Sequence, residues 1–260
     1  MSAGGGGVPW SRSPRSHDHQ RTVIWVVAIV TVVAILVRSH RITGTEIVLF
    51  CVIVPSIILH EIAHGWVALA FGDDTAKRAG RLSLNPVRHV DPVGTLIVPA
   101  VMALSGLGMF GWAKPVPVNL GRLRHPRNQG VLVSLAGPAT NIVLAAVAYV
   151  LFRVFDGAGT ITIEGTFGAL WAEVLFFLGL ANIWLAAFNM VPVPPLDGSV
   201  LFERLLPRSW WPGYLRLRPY TMPLLVGLVF LNFLLHPGPL TWLYTHVFTW
   251  WAGRLGLQVA

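Results

Sequence analysis

Five runs of this chain, 22–37, 45–71, 128–152, 167–190 and 220–235, are long, apolar and nearly free of charge. A hydrocarbon layer about 30 Å thick is crossed by about 20 such residues in a helix. Inside it every backbone polar group must be satisfied internally, so isolated runs of this kind have to be helical. Only 12% of the 260 residues are charged, against 54% hydrophobic. Soluble domains carry about 25% charged residues, so a soluble enzyme and a disordered chain are both excluded. The sequence predicts an all-α polytopic membrane protein of about five to six transmembrane helices.

Residues 1–21, rich in Gly, Ser, Pro and Arg, read as a flexible cytoplasmic tail. Residues 22–260 read as one membrane-embedded domain, with no internal repeat and no appended soluble domain. The run 22–37 is followed by Arg38, His40 and Arg41 rather than by small residues, and reads as an uncleaved first span. Two stretches fit less simply. Residues 94–111 are apolar but contain Pro99 and the glycines 94, 106, 108 and 111, which weaken a spanning helix. Residues 240–251 are short and Trp-rich, as in an interfacial helix or a partial sixth span.

The net charge of +8 would suggest nucleic acid in a soluble protein. In this chain the basic loops have anionic membrane lipid as their partner, and no nucleic acid is expected. The single cysteine, Cys51, lies in an apolar run, forms no intrachain disulfide and gives no redox compartment.

Within the run 45–71 stand His60, Glu61 and His64, the HExxH pattern. Residues four apart share one helix face, so both imidazoles can reach one Zn²⁺, and Glu61 can take a proton from water at the metal. Three ionisable groups within one turn of a hydrocarbon-embedded helix are costly, which makes them a functional site. Catalytic zinc takes three protein ligands, and the other strong candidate is Asp197. It emerges from the fourth apolar run after Pro192, Pro194 and Pro195, with Gly198 permitting a sharp turn. Alone, Pro-Pro-Leu-Asp-Gly is an ordinary turn; beside HExxH it completes a two-part signal.

With His60–His64 and Asn189–Gly198, the chain resembles the site-2 protease family of intramembrane zinc metalloproteases, in its short prokaryotic branch without a PDZ domain. Residues 80–92, 110–119 and 137–141 fit as well, so the resemblance covers about residues 45–200. It implies one Zn²⁺ per chain with His60, His64 and Asp197 as ligands and Glu61 as general base. It also implies a place near the metal for Asn189, whose amide would serve as oxyanion donor; an interhelical hydrogen bond is the other reading of that residue. Asn141 and His89 are candidates for a supporting shell or a substrate channel, beside packing and solvated-loop readings. Lys114, Val116 and Val118, in an extended Pro-alternating segment, are candidates for a strand edge that holds an unwound substrate.

The metal site also constrains topology. His60 and His64 lie late in one span and Asp197 just past the end of another, so both must sit at one membrane depth. A single crossing by 94–111 would put Asp197 on the opposite side, so this segment is expected to be re-entrant or a hairpin. Segments 1–21, 72–93, 112–127 and 191–219 then lie together and hold 15 of the 19 Lys and Arg, which puts the site toward the cytoplasmic side of the cell membrane. The activity implied is cleavage within or beside a transmembrane segment of a membrane protein substrate. The alternative is an ion transporter or metal-binding protein built on the same His/Asp cluster.

Overall fold

Helix α1 (Gly44–Ala70) carries HExxH in its second half. In the computed structural model, residues 44–98, 111–156, 170–235 and 240–256 are described, with the single positions 27, 31, 101 and 238. The expected tail and nearly all of the first span lie outside them. After α1 come a short turn α2 (Thr75–Arg78), then α3 (Pro126–Asp156), α4 (Leu170–Asn189), α5 (Gly198–Leu205), α6 (Trp211–Leu234) and α7 (Thr241–Leu255). The described residues contain helices and loops and no strand. Three helices, α1, α3 and α4, are long and apolar enough to cross a membrane. The expected spans match them to within about three residues at most ends, which is the usual fraying of helix boundaries.

The core is the packing of α3 between α1 and α4. On α3, Ser134, Gly137, Asn141, Ala145, Ala148 and Phe152 recur at three- and four-residue spacing and are all buried, so they form one face. Small residues on that face let neighbouring backbones approach closely. Ile142, Val143, Val150 and Val154 point the other way and are exposed. An exposed apolar surface of that extent is what lipid covers.

The chain leaves α1 and returns to α3 on one side of this bundle. His64 near the end of α1 meets Val133 near the start of α3, while His60, one turn earlier, meets Asn141, two turns later. The two helices are therefore antiparallel, and the connection between them makes no net crossing. Within it, the Trp112 amide donates to the Gly94 carbonyl at 3.1 Å, and the Thr95 hydroxyl donates to the Trp112 carbonyl. A single crossing between residues 94 and 112 would separate these groups by the thickness of the bilayer. The hairpin expectation holds at its two ends; residues 102–110 lie outside the described set.

Asp73 clips the returning chain to the end of α1. It is fully buried and accepts from the Thr75 amide at 3.0 Å, from the Thr75 hydroxyl and from the Asn119 amide at 2.6 Å. Burial works against its charge, but the Thr75 hydroxyl and the two amides outweigh it and hold the carboxyl below the ordinary aspartate range.

At the other end of the bundle α7 packs on α4. The Trp251 ring lies over Gly179, where a Cβ would come within 1.9 Å of it, and its indole N–H donates to the Phe176 carbonyl at 3.0 Å. The stretch 240–251 is therefore a packed helix of the bundle. Helix α6 starts earlier than the expected 220, at Trp211, and runs through Pro219 and Pro223. Replacing Trp251 with alanine removes a buried ring and one hydrogen bond, and is expected to cost about 3–5 kcal/mol. A lower thermal midpoint in detergent, with metal content unchanged, is the predicted outcome.

Candidate metal centre

His60 and His64 lie one turn apart on α1, and both rings face α3 and the loop after α4. Their Nε2 atoms are 3.1 Å from each other, and 3.1 and 3.4 Å from Asp197 Oδ2. The protonation of the rings follows from what holds their far sides. His64 Nδ1 faces the Val133 carbonyl at 2.6 Å, an acceptor only, so Nδ1 carries the proton.

His60 is fixed by a longer chain of bonds. Asn182 Nδ2 donates to the Leu178 carbonyl and to Ser56 Oγ, each at 2.8 Å, and Ser56 donates to the Val52 carbonyl. With its amide nitrogen committed, Asn182 presents Oδ1 to Asn141 Nδ2 at 2.7 Å. Asn141 therefore turns its own Oδ1 to His60 Nδ1, which must donate. With the rings neutral, both Nε2 atoms present lone pairs, and they face a carboxylate oxygen that is buried and receives no hydrogen bond.

Three lone-pair atoms at this separation repel one another unless a cation stands between them. Zinc at about 2.0–2.1 Å from each ligand spaces tetrahedral donors about 3.3 Å apart, which is the spacing seen. Among the described residues this is the one group of three His, Cys, Asp or Glu close enough to hold a metal ion. The donors present therefore fit Zn²⁺.

Space for the rings comes from Gly137 on α3. A Cβ there would lie 2.4 Å from His64 Nε2 and 2.5 Å from His60 Nε2. Asp197 is held by its backbone: the Ser134 hydroxyl donates to its carbonyl at 2.7 Å. It occupies the N-cap of α5 without using its side chain as a cap, which leaves the carboxylate for the histidines. Gly198 does not have the left-handed backbone that a sharp glycine turn suggests. Glycine is needed there because a Cβ would lie 2.2 Å from the Met190 carbonyl oxygen.

The remaining candidates divide. Glu61 is half-buried beside His60, and its Oε2 accepts the Val116 amide at 2.7 Å. Val116 is buried, its side chain against Gly65 of α1, while Val118 packs on the cluster of Ala68, Leu123 and Val133. Lys114 is exposed and donates its amide to the His89 carbonyl at 2.9 Å. His89 is buried, with Nε2 on the Ser83 carbonyl at 2.8 Å, and serves the loop rather than the cluster. The Asn189 amide donates to the Leu185 carbonyl of its own helix at 2.9 Å.

Sequence reasoning missed Ser134, Asn182 and Ser56, and picked out Gly137 with residues 137–141 without seeing that it makes room for the rings. Asn182 did leave a signal, a lone amide in an apolar run, where polar side chains serve helix association. Removing the Asn141 amide as Asn141→Leu is expected to lower zinc affinity about 10–100-fold. Gly137→Val is expected to abolish binding by displacing both rings. Competition with a chromophoric chelator measures both.

Comparison with known proteins agrees with this geometry. Over 161 residues, 60% of this chain and 67% of the relative, it is 40% identical to the "Putative zinc metalloprotease YwhC" of Bacillus subtilis. It is 32% identical over 178 residues, 64% of the relative's length, to the "Putative zinc metalloprotease Rip2" of Mycolicibacterium smegmatis. It is 22% identical over 194 residues, 43% of that relative, to the "Zinc metalloprotease MJ0392" of Methanocaldococcus jannaschii. No protein-family model and no solved structure matches the chain. A buried three-donor cluster sized for zinc, in a membrane helix bundle with these relatives, makes the chain a member of the site-2 protease-like family of zinc metalloproteases.

Proposed function

We propose that this chain hydrolyses a peptide bond within or beside a transmembrane segment of a membrane protein, as a zinc endopeptidase with His60, His64 and Asp197 as its ligands. The observation that carries this reading is the cluster of His60, His64 and Asp197, two of whose donors stand on the helix that also bears Glu61. Bound zinc supplies Lewis acidity toward the scissile carbonyl and makes water a stronger nucleophile. Glu61 accepts the proton of that water and passes it to the leaving amine. Its carboxylate is adjacent to the ligand His60 and stays out of the cluster, being engaged by the Val116 amide. Asn189 is the proposed oxyanion donor, a role that requires its amide to turn away from Leu185.

A helical substrate shields its peptide bonds, so it must be drawn out before it is cut. The extended segment 114–118 lies over Glu61 and is proposed as the surface that receives the unwound chain. The excess of Lys and Arg in the segments on the metal side supports a cytoplasmic-facing site in a multi-pass cell-membrane protein. Release of membrane-tethered factors, or clearance of remnants left by an earlier cut, is the proposed role.

An ion-transport role for the same cluster is less well supported. Among the described residues there is no second group of three potential ligands to form a path through the bundle. Glu61 separates the two readings, because ion binding needs no base there. Glu61→Gln is expected to retain one zinc per chain and to lose about 10²–10⁴-fold in cleavage rate. The assay is mass spectrometry of labelled single-span peptides incubated in detergent. Cleavage by the variant at the wild-type rate would overturn the protease assignment.

A further inference from the structure

We infer that Arg81 is a positioning residue for Glu61: its guanidinium holds the carbonyls of Lys114 and Pro115, and so fixes the Val116 amide on the Glu61 carboxylate. The inference rests on the reading of Glu61 as the general base.

Arg81 is only 8% exposed and, among the described residues, forms no ion pair. Burial works against its charge and the nearby Glu61 carboxylate favours it; its direct hydrogen bonds go to main-chain carbonyls. Nη2 donates to the Lys114 carbonyl and, at 3.2 Å, to the Pro115 carbonyl. One guanidinium nitrogen thus bridges two successive carbonyls of the segment.

The position of Arg81 is itself locked. Gly80 has φ +64°, its amide bonds to the Lys77 carbonyl, and the Arg81 amide bonds to the Ala76 carbonyl at 2.9 Å. This is the Schellman ending of a helix, which sets the direction of the residue after the glycine. The same end of the extended segment is tied by the Trp112 amide on Gly94 and the Lys114 amide on His89, and the chain just past its far end by the Asn119 amide on Asp73.

What this arrangement delivers is one hydrogen bond. Pro115 and Pro117 have no N–H, so Val116 carries the one main-chain donor between Lys114 and Val118. That donor is 2.7 Å from Glu61 Oε2. A base held by one oxygen keeps the other free for the proton it accepts, and its direction is set before substrate arrives. Errors of about 1 Å in such placement cost about 100-fold in rate.

The test pairs a structural with a kinetic readout on the full chain in detergent. Because Val116 is flanked by prolines, hydrogen exchange of a proteolytic fragment spanning 114–117 reports its amide alone. Arg81→Met is expected to speed exchange there about tenfold, the loss of one hydrogen bond, as is Glu61→Ala. In peptide cleavage Arg81→Met is expected to lower kcat about 100-fold with zinc content unchanged; KM rises as well to the extent that segment 114–118 also receives the substrate. Arg81→Lys, which keeps the charge and N–H donors on a shorter reach, is expected to recover part of that loss and guards against misfolding of the methionine variant. Val116→Pro combined with Arg81→Met is expected to be no worse than either alone, since both break one contact.

Unchanged exchange at Val116, unchanged kcat, or a rise in KM alone would overturn the assignment. Loss of zinc in both Arg81 variants would do the same, by making the residue structural. A wild-type protein that cleaves no peptide while Val116 exchange still depends on Arg81 would instead overturn the protease reading and leave the contact standing.

Discussion

Two imidazole nitrogens and a carboxylate oxygen, all three lone-pair donors when the rings are neutral, converge in an apolar helix bundle. Such a group is unstable without a cation, and it stays assembled only if each donor is held from behind. The Val133 carbonyl holds His64, Asn141 holds His60, and the Ser134 hydroxyl holds the Asp197 backbone. All three supports come from the first half of α3. The site is therefore a property of how α3 lies between α1 and the loop after α4, and not of the motif helix by itself.

The same constraint explains the polar residues deeper in the bundle. An amide in hydrocarbon surroundings must find partners. Asn141, Asn182 and Ser56 supply them to one another and finish on main-chain carbonyls of Leu178 and Val52. The direction of this relay is set at its carbonyl end and arrives at His60 as a fixed tautomer. Gly137 has a steric counterpart of that role, since any side chain there would occupy the space of both rings. On the loop side, Asp73 and Arg81 bring the returning chain over Glu61 by gripping its backbone.

That His60, His64 and Asp197 come together was legible in the sequence. Helical spacing puts the two histidines on one face, while Asp197, alone an ordinary turn residue, stood out by its pairing with HExxH and by the family resemblance. The absence of a single crossing between α1 and α3 was legible too, from the requirement that both parts share one depth. What was not legible depends on juxtaposition of distant elements. Gly137 reads as half of a Gly-Pro kink until α1 is packed against it. Gly198 reads as a turn glycine, yet what demands it is the Met190 carbonyl. Arg81 reads as one more basic loop residue, and nothing local reveals that its partners are the carbonyls of Lys114 and Pro115.

X-ray absorption at the zinc edge of the purified protein tests the coordination directly. The account predicts one zinc per chain with a first shell of nitrogen and oxygen at about 2.0–2.2 Å and two imidazoles. It also predicts that Asp197→Ala changes that shell while Cys51→Ser leaves it as it was. A sulfur neighbour at about 2.3 Å, or a spectrum that ignores the loss of Asp197, would contradict it.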